Sequence, residues 1–283
     1  MQTVNNVAEL RQIIRQWRQA GQSIGFVPTM GNLHAGHIRL VETAKTQADK
    51  VVVSIFVNPT QFGPNEDFDS YPRTETQDAE KLAACSADLL FLPGVAEIYP
   101  QASQTRVSVA GLSALHCGAS RPGHFDGVAL VVCKLLNMVQ PDLLLLGEKD
   151  FQQLTLIRQM VADLNIPVTV RGVATVREAD GLAMSSRNGY LNESQRQTAP
   201  ALYRALISAR DTVLAGAADY RAVEEGAKRA LQAAGFNVDY FSVCRIADLQ
   251  SAEPGDAELV VLAAAKLGST RLIDNVYFCM PSA

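Results

Sequence analysis

Up to about residue 176, short apolar runs alternate with longer stripes of apolar positions at helical spacing. Val7, Leu10, Ile14 and Trp17 fall on one face of a helix predicted over residues 7–20. A strand is expected at 24–28 and a helix at 37–48. Val51 to Val57 is a continuous apolar run stopped by Asn58-Pro59, the pattern of a strand covered on both faces. A helix over 74–86 and a strand over 88–93 follow. Residues 124–139 read as a helix, Leu143 to Leu146 as a buried strand ending at Gly147. Phe151, Leu154, Ile157, Val161 and Leu164 form another helical stripe before a strand at 168–170. Strands alternating with helices predict an α/β fold built on a doubly wound parallel sheet.

After residue 177 the pattern changes. Helices are expected at 194–215 and 219–234, then strands near 238–246, 258–264 and 271–278. This order predicts a smaller α+β domain over 177–283, following a sheet domain over 1–176. The segment Arg177–Leu191 between them is polar and contains Gly181 and Gly189, the composition of a functional loop.

Composition narrows the function classes. The chain has 283 residues and a formal net charge of −4, with 25 basic and 29 acidic residues, so it lacks the basic excess of a general nucleic-acid binder. Cys85, Cys117, Cys133, Cys244 and Cys279 are scattered and odd in number, which points to reduced thiols in the cytoplasm. No apolar run approaches the roughly 20 residues of a membrane span.

Chemistry concentrates at strand ends. Met30-Gly31-Asn32-Leu33-His34-Ala35-Gly36-His37 follows the strand at 24–28 and opens a helix. Ligands of open parallel sheets sit beyond the carboxyl ends of the strands, and a helix N-terminus there offers N–H groups to an anion. His34 and His37 could reach one phosphate; a turn packed or capped by an imidazole is the structural alternative. Gly147-Glu148-Lys149-Asp150 puts an ammonium just past a buried strand, as a phosphate contact or as a solvated loop lysine. Met184-Ser185-Ser186-Arg187 offers hydroxyls and a guanidinium to a polyphosphate, or forms an ordinary polar turn. Asn58 and Gln61 place amides beyond the Val51–Val57 run, suited to a small polar substrate or to shaping the turn at Pro59.

The stretches VPTMGNLHAGH, SIFVNPTQFG, YPRT, RPGHF, GEKDFQQL and DGLAMSSRNGYL, in this order and spacing, resemble the pantoate–β-alanine ligase (pantothenate synthetase) family. The His34/His37 pair is similar to the HxGH signature of the Rossmann-like nucleotidylyltransferases. Met184–Arg187 is similar to their KMSKS-type loop, with Ser186-Arg187 where a lysine is usual. The resemblance spans about residues 27–191.

The resemblance implies two steps. The pantoate carboxylate attacks the α-phosphate of ATP to give pantoyl adenylate and pyrophosphate; the β-alanine amine then displaces AMP. It also implies Mg²⁺ with ATP and a homodimer; the charge balance and the lack of a membrane-length apolar run lead us to expect no nucleic-acid or membrane partner. Carried onto this chain, Met30, Gly31, Asn32, Leu33, His34, Ala35, Gly36 and His37 line the ATP site, with Gly147, Glu148, Lys149, Asp150 and Val176 around the nucleotide. Met184, Ser185, Ser186 and Arg187 close over the triphosphate. His34, His37, Lys149, Ser185, Ser186 and Arg187 are the catalytic candidates. Gln61 and Gln153 hold pantoate, with Asn58, Tyr71 and Arg121 as further substrate candidates.

One position departs from the family: Cys117 stands where an acidic residue is frequent, ahead of Arg121. The rival readings are another adenylyltransferase of the same fold and a non-catalytic nucleotide-binding protein. The chemistry needs no protein base in its first step, because the nucleophile is already an anion. Alignment and charge stabilisation suffice.

Overall fold

The computed structural model describes residues 1–64 and 66–281. The chain runs β1 (Gln2–Val4), α1 (Val7–Gln19), β2 (Ile24–Thr29), α2 (Ala35–Lys45), β3 (Lys50–Ile55), α3 (Glu75–Ala84) and β4 (Leu89–Phe91). It continues through α4 (Val95–Ile98), α5 (Cys117–Ser120), α6 (His124–Val139), β5 (Leu143–Gly147), α7 (Phe151–Asp163) and β6 (Thr169–Val173). Then come α8 (Glu193–Thr198), α9 (Ala201–Leu214), α10 (Tyr220–Ala233), β7 (Asn237–Arg245), β8 (Glu258–Leu267) and β9 (Thr270–Cys279).

Two compact units divide these residues. The first holds 1–114, 121–148 and 153–174; the second holds 115–120, 149–152 and 175–283. The first is the doubly wound sheet the pattern predicts: six parallel strands in the order β1-β4-β3-β2-β5-β6. Strand order reverses between β2 and β5. The crevice at that switch point is where such folds bind ligands, and β2 ends there in Thr29, β5 in Gly147. Val27, Val51, Val53, Ile55, Leu90, Leu143 and Leu145 of one sheet face pack with Leu40, Val41 and Ala44 of α2 and Leu82 of α3. These central strands are apolar on successive residues because helices cover both faces.

The second unit is the expected α+β body. An antiparallel sheet β7-β8-β9 shares one core with the helices, in which Phe241, Val261 and Ala263 meet Leu202, Leu206 and Leu231. The single helix expected over 194–215 is two, α8 and α9, parted at Ala199-Pro200. Pro200 has no N–H to continue the ladder but fits the start of a helix. Strand β1 carries too short a pattern to be read from the sequence.

Candidate active site

The HxGH stretch works first as a helix cap. His34 is the N-cap of α2, and its Nδ1 accepts the Gly36 N–H at 3.1 Å. His37 returns the arrangement: its Nδ1 accepts the His34 N–H at 3.3 Å, closing a capping box in imidazoles. The two rings lie 4.1 Å apart between centroids. A Cβ on Gly36 would stand 2.9 Å from His34 Cε1, so glycine is the residue that lets the ring lie over the helix end. With each Nδ1 accepting a backbone N–H, the proton of the neutral ring sits on Nε2. Both imidazoles are thereby set as donors. The capping alternative and the phosphate-donor reading are compatible, since the cap selects the tautomer a phosphate needs.

The loop ahead of the cap is held by a residue the sequence does not single out. Asp78 of α3 is fully buried. Its carboxylate accepts the N–H groups of Asn32 and Leu33, each at 2.8 Å, and the Thr74 hydroxyl at 3.0 Å. Lys81, one turn on, donates to the Leu33 carbonyl at 2.7 Å. Gly31 and Asn32 both have positive φ, +83° and +50°, a conformation that needs such fastening at Asn32.

A second array lies at the turn after β3. Asn58 is buried and caps the 59–61 turn. Its Nδ2 donates to Gln61 Oε1 at 3.0 Å and to the Gly127 carbonyl at 3.2 Å; its Oδ1 accepts from Thr60 Oγ1 and Tyr99 Oη. Asn58 is therefore spent inside the protein and shapes the turn, while Gln61 points its Nε2 to Met30 Sδ at 3.3 Å. Arg121 forms a bidentate pair with Glu66 at 2.6 and 2.5 Å. Burial raises the Glu66 pKa, but Arg121 outweighs it and holds the carboxyl below its ordinary range. His124 Nδ1 donates to the Gln61 carbonyl at 2.8 Å, leaving Nε2 to accept from Arg121 Nη1 at 2.9 Å. Tyr71 is buried edge-on to Phe62.

The remaining candidates fall in the second unit, save Gly147 and Glu148 at the end of β5 and Gln153, which is half-buried in the first turn of α7. Gln152 is the structural glutamine of the QQ pair. It is buried, accepts the Cys117 N–H at 3.1 Å and donates to the Leu115 carbonyl at 2.7 Å. Lys149 is fixed through its backbone, whose carbonyl accepts from Asn275 at 3.0 Å, and its Nζ lies 3.5 Å from Asp150.

The 177–191 segment is a braced loop. Arg177 bridges to Ala183, Gly181 turns the chain at φ +93°, and Met184 donates to the Val176 carbonyl at 3.0 Å. Arg177 forms a bidentate pair with buried Asp274 at 2.6 and 3.0 Å and stacks on Tyr203 at 3.6 Å. Burial raises the Asp274 pKa and Arg177 opposes the rise. Ser185 caps the short 186–190 turn by accepting the Arg187 N–H at 3.2 Å, and Asn188 ties the turn to Glu178 and Ala183. The loop thus has fixed stems beneath Ser185, Ser186 and Arg187.

Cys117 sits 3.0 Å from Tyr240 Oη and 3.4 Å from Arg271 Nη2, and Arg271 is neutralised by Asp239 at 2.7 Å. Arg121 has Glu66 for its acid, so its pairing does not depend on position 117. Cys117 and Cys244 are buried, Cys85 and Cys133 half-buried and Cys279 exposed, none in a disulfide.

The chain matches the family model of pantoate–β-alanine ligases over residues 2–277. It is 58% identical over 278 residues to the pantothenate synthetase of Methylococcus capsulatus, covering 98% of this chain and 97% of that protein. The crystal structure of pantothenate synthetase from Thermus thermophilus superposes with a TM-score of 0.92 at 47% identity, over 98% of this chain and 99% of that one. The Francisella tularensis pantoate–β-alanine ligase, solved in complex with β-γ ATP and β-alanine, gives 0.82 at 36% identity over 98% and 97%. Motifs, fold and whole-length similarity agree, and the chain belongs to the pantoate–β-alanine ligase family.

Proposed function

We propose that the ATP-dependent ligation of pantoate with β-alanine, which this chain catalyses as a member of its family, runs through a pantoyl adenylate. A pantoate carboxylate oxygen bonds to the α-phosphorus of ATP, and the α–β bridging P–O bond breaks as pyrophosphate leaves. The β-alanine nitrogen then bonds to the acyl carbon, the C–O bond to AMP breaks, and the amine gives up a proton. The donor array at the head of α2 carries this reading. Two Nε2–H groups and the helix N-terminus supply positive potential at the head of α2 without a base or a nucleophile.

In this scheme His34 and His37 act on the phosphates, with Met30–Gly36 shaping their cradle. Lys149 stabilises charge on the departing pyrophosphate, and Ser185, Ser186 and Arg187 bind the triphosphate from the 177–191 loop. Gly147, Glu148, Asp150, Val176 and Met184 border the nucleotide. Gln61 and Gln153 orient pantoate. Arg121 and Tyr71 hold the turn that carries Gln61. By function we divide the chain into a catalytic part, 1–176, and a part, 177–283, that carries the MSSR loop, a division that differs from the compact units in which 115–120, 149–152 and 175–176 go with the second.

Among the described residues no group of three or more His, Cys, Asp or Glu could hold a metal ion. Mg²⁺ would arrive with ATP, an ion commonly held by phosphates, water and one or two carboxylates. Glu148 and Asp150 are the carboxylates the GEKD stretch offers, and the ion would neutralise charge on the phosphates. The resemblance further implies a homodimer in the cytoplasm; five unpaired thiols suit a reducing compartment, and no helix among the described residues is long and apolar enough to cross a membrane.

The test is isotope exchange. Labelled pyrophosphate should enter ATP when pantoate is present and β-alanine absent, and the exchange should stop without pantoate. Lys149→Ala should suppress it strongly and Lys149→Arg restore it in part, because a guanidinium does not replace a compact ammonium. Arg187→Ala should slow exchange more than it slows the reaction of preformed pantoyl adenylate with β-alanine. Exchange that required β-alanine would replace the adenylate route with a concerted one.

A further inference from the structure

We propose that Tyr99 is a positioning residue for the pantoate subsite, acting through Asn58 to hold the Gln61 amide with its NH₂ toward the ligand. The inference rests on the reading that Gln61 binds pantoate.

An amide side chain can turn over, exchanging its oxygen and its NH₂. Around Asn58 the partners forbid it. Oδ1 takes the Thr60 N–H at 3.4 Å, the Tyr99 hydroxyl at 2.9 Å and the Thr60 hydroxyl at 3.0 Å; the two hydroxyls lie 3.2 Å apart and either can donate or accept, so the sense of the amide is set by the Thr60 N–H and the Gly127 carbonyl, and Tyr99 holds it there. Acceptors surround Nδ2: the Gly127 carbonyl at 3.2 Å and Gln61 Oε1 at 3.0 Å. With Nδ2 pointed at Gln61, the Gln61 oxygen is the end that is occupied. Its Nε2 is turned the other way, to Met30 Sδ at 3.3 Å. A thioether is a weak acceptor, so this NH₂ is readily given over to a carboxylate or hydroxyl oxygen of a small ligand. The order Tyr99 to Asn58 to Gln61 thus passes one donor along to the substrate.

Two features keep the relay in place. Asn58 is 1% exposed, so water does not compete for its amide. Gly127 lets α6 close on the turn: a Cβ there would stand 2.2 Å from the Thr60 carbonyl oxygen, and the close approach puts the Gly127 carbonyl within reach of Asn58. Burial raises the Tyr99 pKa above its ordinary value, against a hydrogen bond with Thr60 that opposes the rise.

The test is a double-mutant cycle on the full chain: Tyr99→Phe, Gln61→Ala and the pair together. Pantoate dissociation constants come from calorimetry and KM values for all three substrates from steady-state assays. Tyr99→Phe keeps the ring and removes only the hydroxyl. It should weaken pantoate by about threefold to tenfold, the worth of one neutral hydrogen bond, leaving the KM for β-alanine within twofold. In the Gln61→Ala background it should cost nothing further. Unchanged pantoate affinity in Tyr99→Phe, with affinity lost in Gln61→Ala, overturns the relay and leaves the pantoate reading standing. Equal costs of Tyr99→Phe in both backgrounds overturn it too. Unchanged affinity in Gln61→Ala removes the pantoate reading and the relay with it.

Discussion

The buried carboxylate of Asp78 accepts the backbone N–H of Leu33 at 2.8 Å, the residue just ahead of the first imidazole of the HxGH pair. Its other oxygen takes the N–H of Asn32, so one side chain of α3 sets the path of the chain into α2. An asparagine there has only one oxygen, and its NH₂ would face an N–H. Asp78→Asn should cost about 1–3 kcal/mol of stability, the penalty for a buried donor left unpaired. It should also lower the rate of adenylate formation more than that of the β-alanine step. Denaturant unfolding with separate assays of the two half-reactions checks both. Equal slowing of the two steps would mean that Asp78 serves stability alone.

The capping and phosphate roles of His34 can be separated. His34→Ala should cost about 1 kcal/mol for the lost cap and about 10²–10³-fold in adenylation for the lost donor. Asparagine is a strong N-cap, so His34→Asn should recover the stability and none of the rate. Gly36→Ala should slow adenylation as well, because its methyl group displaces the His34 ring. A His34→Asn variant with near-normal turnover would show that the imidazole acts only as a cap.

Acid should act on the sheet through Asp88. Its carboxylate accepts from Lys45 at 2.9 Å, Lys50 at 3.3 Å and the Val51 N–H at 2.9 Å. Burial raises its pKa, but Lys45, Val51 and Lys50 together bring it below the ordinary 3.8. A carboxyl whose folded pKa is depressed stabilises the fold above its unfolded value, and this is lost as pH falls through the folded value. Asp88→Asn should therefore be less stable than the parent at pH 7, with the gap narrowing below about pH 4. Urea unfolding across that range is the measurement; a gap constant with pH would assign the effect to packing.

Much of this is legible in the residues. Apolar runs and stripes place the central strands because burial on both faces leaves no polar alternation to confuse. The HxGH stretch announces a helix start, though not that its two imidazoles cap each other, since a capping box is usually read from Ser, Thr or Asp with Glu or Gln. Asp78 lies 41 residues beyond His37 in sequence (78 − 37) and looks like any first-turn helix acid; only the sheet's folding brings it under the loop. Tyr99 stands in an unpatterned stretch and is hidden for the same reason. Gln152 and Gln153 are indistinguishable as neighbours until the fold buries one against Leu115 and Cys117. The expected helix over 194–215 runs too long because Pro200 sits where a proline can open a helix as easily as end one.

Gly127 faces no substrate in the scheme above, yet its missing side chain decides the shape of the Asn58–Gln61 turn. A single methyl group would push Thr60 away and uncouple Asn58 from the helix. Helix α6 and the Asn58–Gln61 turn are consequently one interlocked part. Efforts to widen this enzyme toward bulkier acids would do well to redesign both together, beginning from the helix.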